Sequence, residues 1–120
     1  MKDFHKLKVW EKAHDLTLKV YHNTQDFLKE EIYGLTSQMR RSSASIPTNI
    51  AEGCGRSNKA ETIQFFNIAT GSSSELEYQF ILAHDLHYLD DKSYLNLSEG
   101  FIEVRRMLFA LIQRFREDVK

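Results

Sequence analysis

Residues 40–56 read RRSSASIPTNIAEGCGR, and whether this stretch is loop or helix decides the fold. Its clustered serines, glycines and arginines suggest a loop that cradles phosphate, whereas the IPTNIAE run inside it has helical character. A phosphate loop needs a glycine-rich turn between a strand and a helix, with a lysine that reaches the phosphates. The candidate turn GCGRS at 53–57 follows no strand pattern and lacks that lysine. The stretch therefore reads as a helix that Gly53 and Gly55 bring to an end.

Outward from it, apolar residues recur at steps of three and four, the mark of amphipathic helices. Leu7, Trp10, Ala13, Leu16 or Thr17, Val20, Thr24 and Phe27 form one face of a first segment. Thr36 is the expected N-cap of a second, carrying Met39, Ser42, Ile46, Ile50 and Ala51. Asn58 with Glu61 resembles a capping box opening a third, faced by Phe65, Ala69, Ser72, Leu76, Phe80, Ala83 and Leu86. Asp90 to Ser93 is a natural break before a fourth, with Leu97, Phe101, Val104, Leu108, Leu111 and Phe115. Gly100 weakens that fourth helix by about 1 kcal/mol if it lies inside it. With one proline, five glycines and no strand-like alternation, the chain is expected to be all-α. Short connections make sequential helices antiparallel. The predicted architecture is one domain over 1–120, an up-down-up-down antiparallel four-helix bundle with helix 2 kinked at Pro47.

A hairpin of segments two and three turning near Ser57 and Asn58 places opposite each other residues whose numbers sum to about 116. Ser42 to Ser45 then face Gly71 to Ser74, and small residues on both sides let helix axes approach toward ~8 Å. The serine cluster is thus a close-packing seam. Pro47 has no N–H and leaves the carbonyl of Ser43 without its helical donor. Ser43, Thr48 and Asn49 are the expected sources of a compensating hydroxyl or amide. Arg41 falls opposite Glu75, where an ion pair or a solvated surface pair would form.

Of the 120 residues, 42% are apolar and 28% charged, enough for a core without metal or disulfide. Cys54 is the one cysteine, and no N-terminal apolar run resembles a signal peptide, so a cytoplasmic protein without disulfides is expected. The longest apolar runs, Phe80 to Ala83 and Met107 to Ile112, fall far short of the ~20 residues that span a bilayer. Each run covers more of its helix than a single core-facing stripe buries. A homo-oligomer is expected, with helix three or four as its interface and Phe109 or Tyr78 as anchors.

The formal net charge of −1 gives no basic excess of the kind a dedicated nucleic-acid binder carries. Residues 40–59 nevertheless hold Arg40, Arg41, Arg56 and Lys59 against Glu52, and residues 60–92 hold six acids against Lys92. A basic rim of Arg40, Arg56, Lys59 and the lysine-rich first segment would contact RNA or DNA. The competing reading is a structural oligomer or adaptor that touches only protein. Glu11 and His14 form a single Glu-x-x-His, and di-iron bundles need two such units. His84 and His87 have metal-compatible spacing without a third ligand, and His5 and His22 add no constellation. Cys54 near a helix C-terminus is a poor nucleophile. No catalytic, cofactor-binding or metal site is expected, and no enzyme.

YGLTSQMRRSSASIPTNIAEGCGR at 33–56 and FFNIATGSSSELE at 65–77 together resemble a known pattern. Trp10, Gln38, Arg41, Ser45, Pro47, Asn49, Glu52, Gly53, Gly71, Ser72 and Glu75 match in order the four-helix-bundle family encoded by intervening sequences in bacterial 23S ribosomal RNA genes. The chain departs at Leu28, where the family often has proline, and at Ser42 and Ser43, where it often has alanines. The resemblance implies a bacterial, ring-forming bundle, typically a pentamer. It also implies similarity to the accessory protein of diversity-generating retroelements, whose partners are nucleic acid and a reverse transcriptase. For most members it implies no assigned activity.

Overall fold

In the computed structural model, which describes residues 3–119, the stretch 40–56 is helical as far as Cys54. Four helices, α1 (Lys8–Asn23), α2 (Leu35–Cys54), α3 (Lys59–Asp85) and α4 (Asp91–Val119), are accompanied by one-turn 3-10 helices at Phe4–Lys6 and Lys29–Glu31. α1 packs on α2, α2 on α3, α3 on α4, and α4 back on α1, while neither diagonal pair brings its Cα atoms within 8 Å among the described residues. That closed order is the predicted four-helix bundle, 47 × 24 × 21 Å.

The predicted face of α4 is the observed one: Leu97, Phe101, Val104, Leu108 and Leu111 are buried and Phe115 is half-buried. At the start of α3 the core aromatic is Phe66, which meets Phe115 edge-on at 5.4 Å between centroids, and Phe65 is half-exposed beside it, while Phe80 further along is buried as read. Leu86 lies past the end of α3 and is exposed. α1 buries Val9, Ala13, Leu16 and Val20 and stops before Phe27. The Thr24 hydroxyl donates to the carbonyl of Val20 at 2.9 Å and the Asn23 amide to that of Lys19 at 2.8 Å, local bonds that favour a helix end over its continuation. Phe27 instead sits in the connection against the Tyr88 ring, 5.3 Å between centroids. Thr36 is not the N-cap of α2. Gly34 occupies that position, and Glu31 reaches from the preceding turn to accept the N–H of Leu35 at 3.0 Å. The Asn58 cap of α3 is present as read, its Oδ1 accepting the N–H of Glu61 at 2.8 Å.

The seam between α2 and α3 follows the predicted register, with Ser45 Oγ 2.7 Å from Ser72 Oγ. Ser43 and Ser73 are buried and donate to carbonyls of their own helices, Arg40 at 3.1 Å and Thr70 at 2.7 Å. They add little bulk and ask nothing of the opposite helix. Gly71 lies outside the seam. It is exposed, and a Cβ added there meets nothing within 4 Å, because one residue along from Ser72 is ~100° round the helix. Gly53 makes the close approach instead: an added Cβ would lie 2.9 Å from Phe66 Cε1 and 3.1 Å from the Thr62 carbonyl.

Pro47 is buried inside α2, which runs through it without interruption. The Ser43 carbonyl is served from another helix, since Thr17 Oγ1 on α1 lies 2.9 Å from it and 3.0 Å from the Ala13 carbonyl. The three donors expected from sequence are occupied or turned away: Ser43 bonds Arg40, Asn49 bonds the Ser45 carbonyl at 2.8 Å, and Thr48 is exposed. On the other flank α1 lies along the middle of α4. Gly100 leaves room for Leu16, whose Cδ1 would stand 3.2 Å from an added Cβ, and Lys12 pairs with Glu103 at 3.5 Å.

Candidate functional site

The basic residues singled out by the sequence occupy two places. Arg40 folds back over the end of α1: its Nε donates to Thr24 Oγ1 at 2.9 Å, its Nη2 to the Tyr21 carbonyl at 3.3 Å, and its guanidinium sits 4.7 Å from the Tyr21 ring centroid. Arg56 lies at the α2–α3 turn, paired with Glu52 at 2.7 Å and 4.6 Å above the Phe65 ring. Arg40 stands about 21 Å of helix before Cys54, where α2 ends, and Arg56 lies two residues past that end. Lys59 and Arg56 line one cavity of 230 Å³ with Asn58, Thr62 and Phe115. The structure therefore joins Arg56 and Lys59 and sets Arg40 at the far end of α2.

A second feature was only partly legible. Leu95, Ile102 and Phe109 on α4 are 59, 59 and 63% exposed and stand seven residues apart. Each precedes a core position, Leu97, Val104 or Leu111, by two residues, which is ~200° round the helix. α4 thus carries an apolar stripe on the side facing away from the core. Tyr78, Ile68 and Ile81 are exposed on α3, and Arg105 of α4 bonds Glu77 of α3 at 3.2 Å. Phe109 was expected as an anchor from its apolar run, and Tyr78 as an aromatic near the other run. Leu95 and Ile102 lie outside those runs, and only their seven-residue interval could have revealed them.

Arg41 and Glu75 face each other across the α2–α3 seam and line a cleft of 490 Å³. No ion pair joins them among the described residues. Asn49 lies behind, its amide donating to Ser45 Oγ at 2.9 Å.

A family model described as 23S rRNA-intervening sequence protein matches residues 5–110. The chain belongs to this family. Among solved structures, the chain is similar to a protein of unknown function from the S23 ribosomal protein family of Bacteroides thetaiotaomicron. The TM-score is 0.78 and the identity 23%, over 87% of this chain and 97% of that one. That likeness shows the fold. The chain has no match among the curated proteins. Neither description names a reaction.

Elsewhere in this family member several polar side chains make local contacts. His14 is exposed and stacks on Trp10, 5.3 Å between centroids, so the Glu11–His14 unit points away from the bundle interior. His84 bonds Asp91 at 2.7 Å and stacks on Tyr94, and His87 adopts a left-handed φ of 65°. Among the described residues no group of three or more His, Cys, Asp or Glu could hold a metal ion, and no helix is long and apolar enough to cross a membrane. Cys54 is buried. The Leu35 N–H, and then the Tyr88 hydroxyl at 2.9 Å, hold the Glu31 carboxyl below its usual range. The same carboxylate pushes the Tyr88 phenol up. Asp90 is lowered by the Ser93 N–H at 2.7 Å and by the Ser93 side chain. Asp3 is lowered chiefly by its hydrogen bonds with His5.

Proposed function

We propose that the protein is a non-catalytic homo-oligomer that presents repeated basic edges to nucleic acid or to a nucleoprotein partner. The observation that carries the assembly is the exposed stripe of Leu95, Ile102 and Phe109, with Tyr78 on the neighbouring helix. Large apolar side chains at regular intervals opposite the core gain nothing from intramolecular packing and much from burial against another copy. The number of copies, five, rests on family resemblance. Arg56 and Lys59 supply the basic edge. A chain of net charge −1 binds phosphates weakly, but a ring repeats the edge, and linked weak contacts gain avidity. A reverse-transcriptase-like protein is the partner class that the resemblance favours.

A second reading, the protein-only adaptor, is favoured by the engagement of Arg56 with Glu52 and of Arg40 with Thr24 and Tyr21. Light scattering on the parent and on an Ile102→Asp, Phe109→Asp double variant tests assembly. A multimeric parent and a folded monomeric variant are expected, and a monomeric parent would remove the proposal. Fluorescence anisotropy with structured RNA and duplex DNA then separates the two readings. Affinity should fall steeply with salt, and Arg56→Glu with Lys59→Glu should weaken all sequences alike. If the intact oligomer binds neither probe at low salt, the adaptor reading stands.

A further inference from the structure

The cleft over the α2–α3 seam has unmet bonding capacity of several kinds in one place. Gln79 on α3 is only 8% exposed, lines the cleft, and its Oε1 has no hydrogen-bond partner among the described residues. Buried amide oxygens are nearly always paired, and an unpaired one destabilises the fold. Some group in the cleft should therefore donate to it. One turn before Gln79 stands Glu75, and across from it Arg41, both exposed and engaged by no ion pair or hydrogen bond among the described residues.

The serine pair at the other end of the cleft adds a donor. Ser45 Oγ accepts from the Asn49 amide at 2.9 Å and lies 2.7 Å from Ser72 Oγ. Two hydroxyl protons share that single contact, and only one of them can lie along it. Neither serine has another acceptor among the described residues, so one proton is left over for the cleft.

Cation, anion, acceptor and donor thus lie along Ser72 to Gln79, roughly 10 Å of helix. Their charges cancel, which selects against simple ions of either sign. A phosphate attracted by Arg41 would meet Glu75, and a cation attracted by Glu75 would meet Arg41. A neutral molecule bearing both charges satisfies every group. We propose that the cleft binds a small zwitterion, a free α-amino acid. Its carboxylate lies between Arg41 and the serine pair, and its ammonium between Glu75 and Gln79 Oε1. This site is separate from the α4 stripe and does not rest on the assembly reading.

Isothermal titration calorimetry on the intact protein, with the free α-amino acids as probes and inorganic phosphate as a control, tests the site. At least one amino acid should bind saturably and phosphate should not. The N-acetyl and methyl-ester derivatives, each lacking one charge, should bind about tenfold or more weaker, the loss of one charge-assisted bond. Arg41→Gln and Glu75→Gln should show the same loss with unchanged melting. Gln79→Met is the decisive variant: it should melt higher than the parent without ligand, because the unpaired amide is gone, and lose the amino-acid response. The proposal is overturned if no amino acid binds, if the derivatives bind as well as the parent compounds, or if Gln79→Met melts lower. It is overturned equally if Arg41→Gln or Glu75→Gln dissociates the oligomer, since the cleft would then be a contact between copies.

Discussion

Thr17→Val isolates the device that allows a proline inside α2. The substitution keeps the branched shape and removes the hydroxyl that lies 2.9 Å from the Ser43 carbonyl. Ser43 is buried and Pro47 supplies no N–H, so that carbonyl is left without a donor. An unpaired buried backbone acceptor costs about 1–3 kcal/mol. For a chain of this size each kcal/mol moves Tm by roughly 3–5 °C, so the variant should melt roughly 3–15 °C lower. The second bond, to Ala13, contributes little, since that carbonyl already faces the N–H of residue 17 along the helix. In a Pro47→Ala background the new N–H can serve Ser43 directly, and Thr17→Val should then cost only ~0.5 kcal/mol. Urea unfolding followed by circular dichroism, at one protomer concentration for all four chains, measures the cycle. Equal cost in both backgrounds would refute the reasoning, because the Thr17 hydroxyl would then be serving something other than the gap left by proline.

Two glycines in helices should respond oppositely to alanine. Gly53→Ala drives a Cβ against Phe66 and the Thr62 carbonyl and should cost about 1–3 kcal/mol, whereas exposed Gly71→Ala should stabilise by about 0.5–1 kcal/mol; thermal melts decide both. Acid stability should depend on Glu31, whose carboxyl is held below 4.5 in the fold by the Leu35 N–H and the Tyr88 hydroxyl. Its contribution is complete above the ordinary value and lost as pH falls through the lowered one, so Glu31→Gln should flatten the acid limb of a Tm-against-pH profile. At the alkaline end the sign reverses. The raised Tyr88 phenol stabilises below pH 10.0, the contribution is lost as pH rises through its folded value, and Tyr88→Phe should flatten that limb.

The architecture was legible because four apolar periodicities and short breaks leave few ways to pack, and the face of α4 could be read position by position. The register of α2 on α3 was also legible, since a short turn fixes which residues oppose, and Ser45 meets Ser72 as that geometry requires. Contacts between segments distant in sequence were not. Nothing local in residues 13–17 marks Thr17 as the donor for Ser43, and the choice of Phe66 over Phe65 depends on a rotation of one residue that both aromatics satisfy equally in sequence. The same ambiguity of one position put Gly71 into the seam. Of the candidate site, the basic residues were visible as types, but their division between two ends of α2 follows from helix length rather than from charge. Gln79, polar and unremarked among apolar neighbours, becomes notable only when burial and the lack of a partner are both known.

The unequal lengths of the helices carry a consequence for motion. α1 has 16 residues and α4 has 29, about 24 and 44 Å of helix. With Leu16 beside Gly100 and Lys12 beside Glu103, α1 begins about level with residue 108 of its antiparallel neighbour. Past that level α4 keeps α3 alongside but has no α1, and the turn at Phe4–Lys6 packs on α1 and α2 instead. One unbroken helix therefore passes from four-helix surroundings onto a ledge. Opening free energies follow local burial, so amide exchange should slow through Leu97 to Val104 and quicken toward Arg116. Phe109 stands where the ledge begins, and a neighbouring copy seated on it would damp fraying in the part of α4 that the protomer alone holds least firmly.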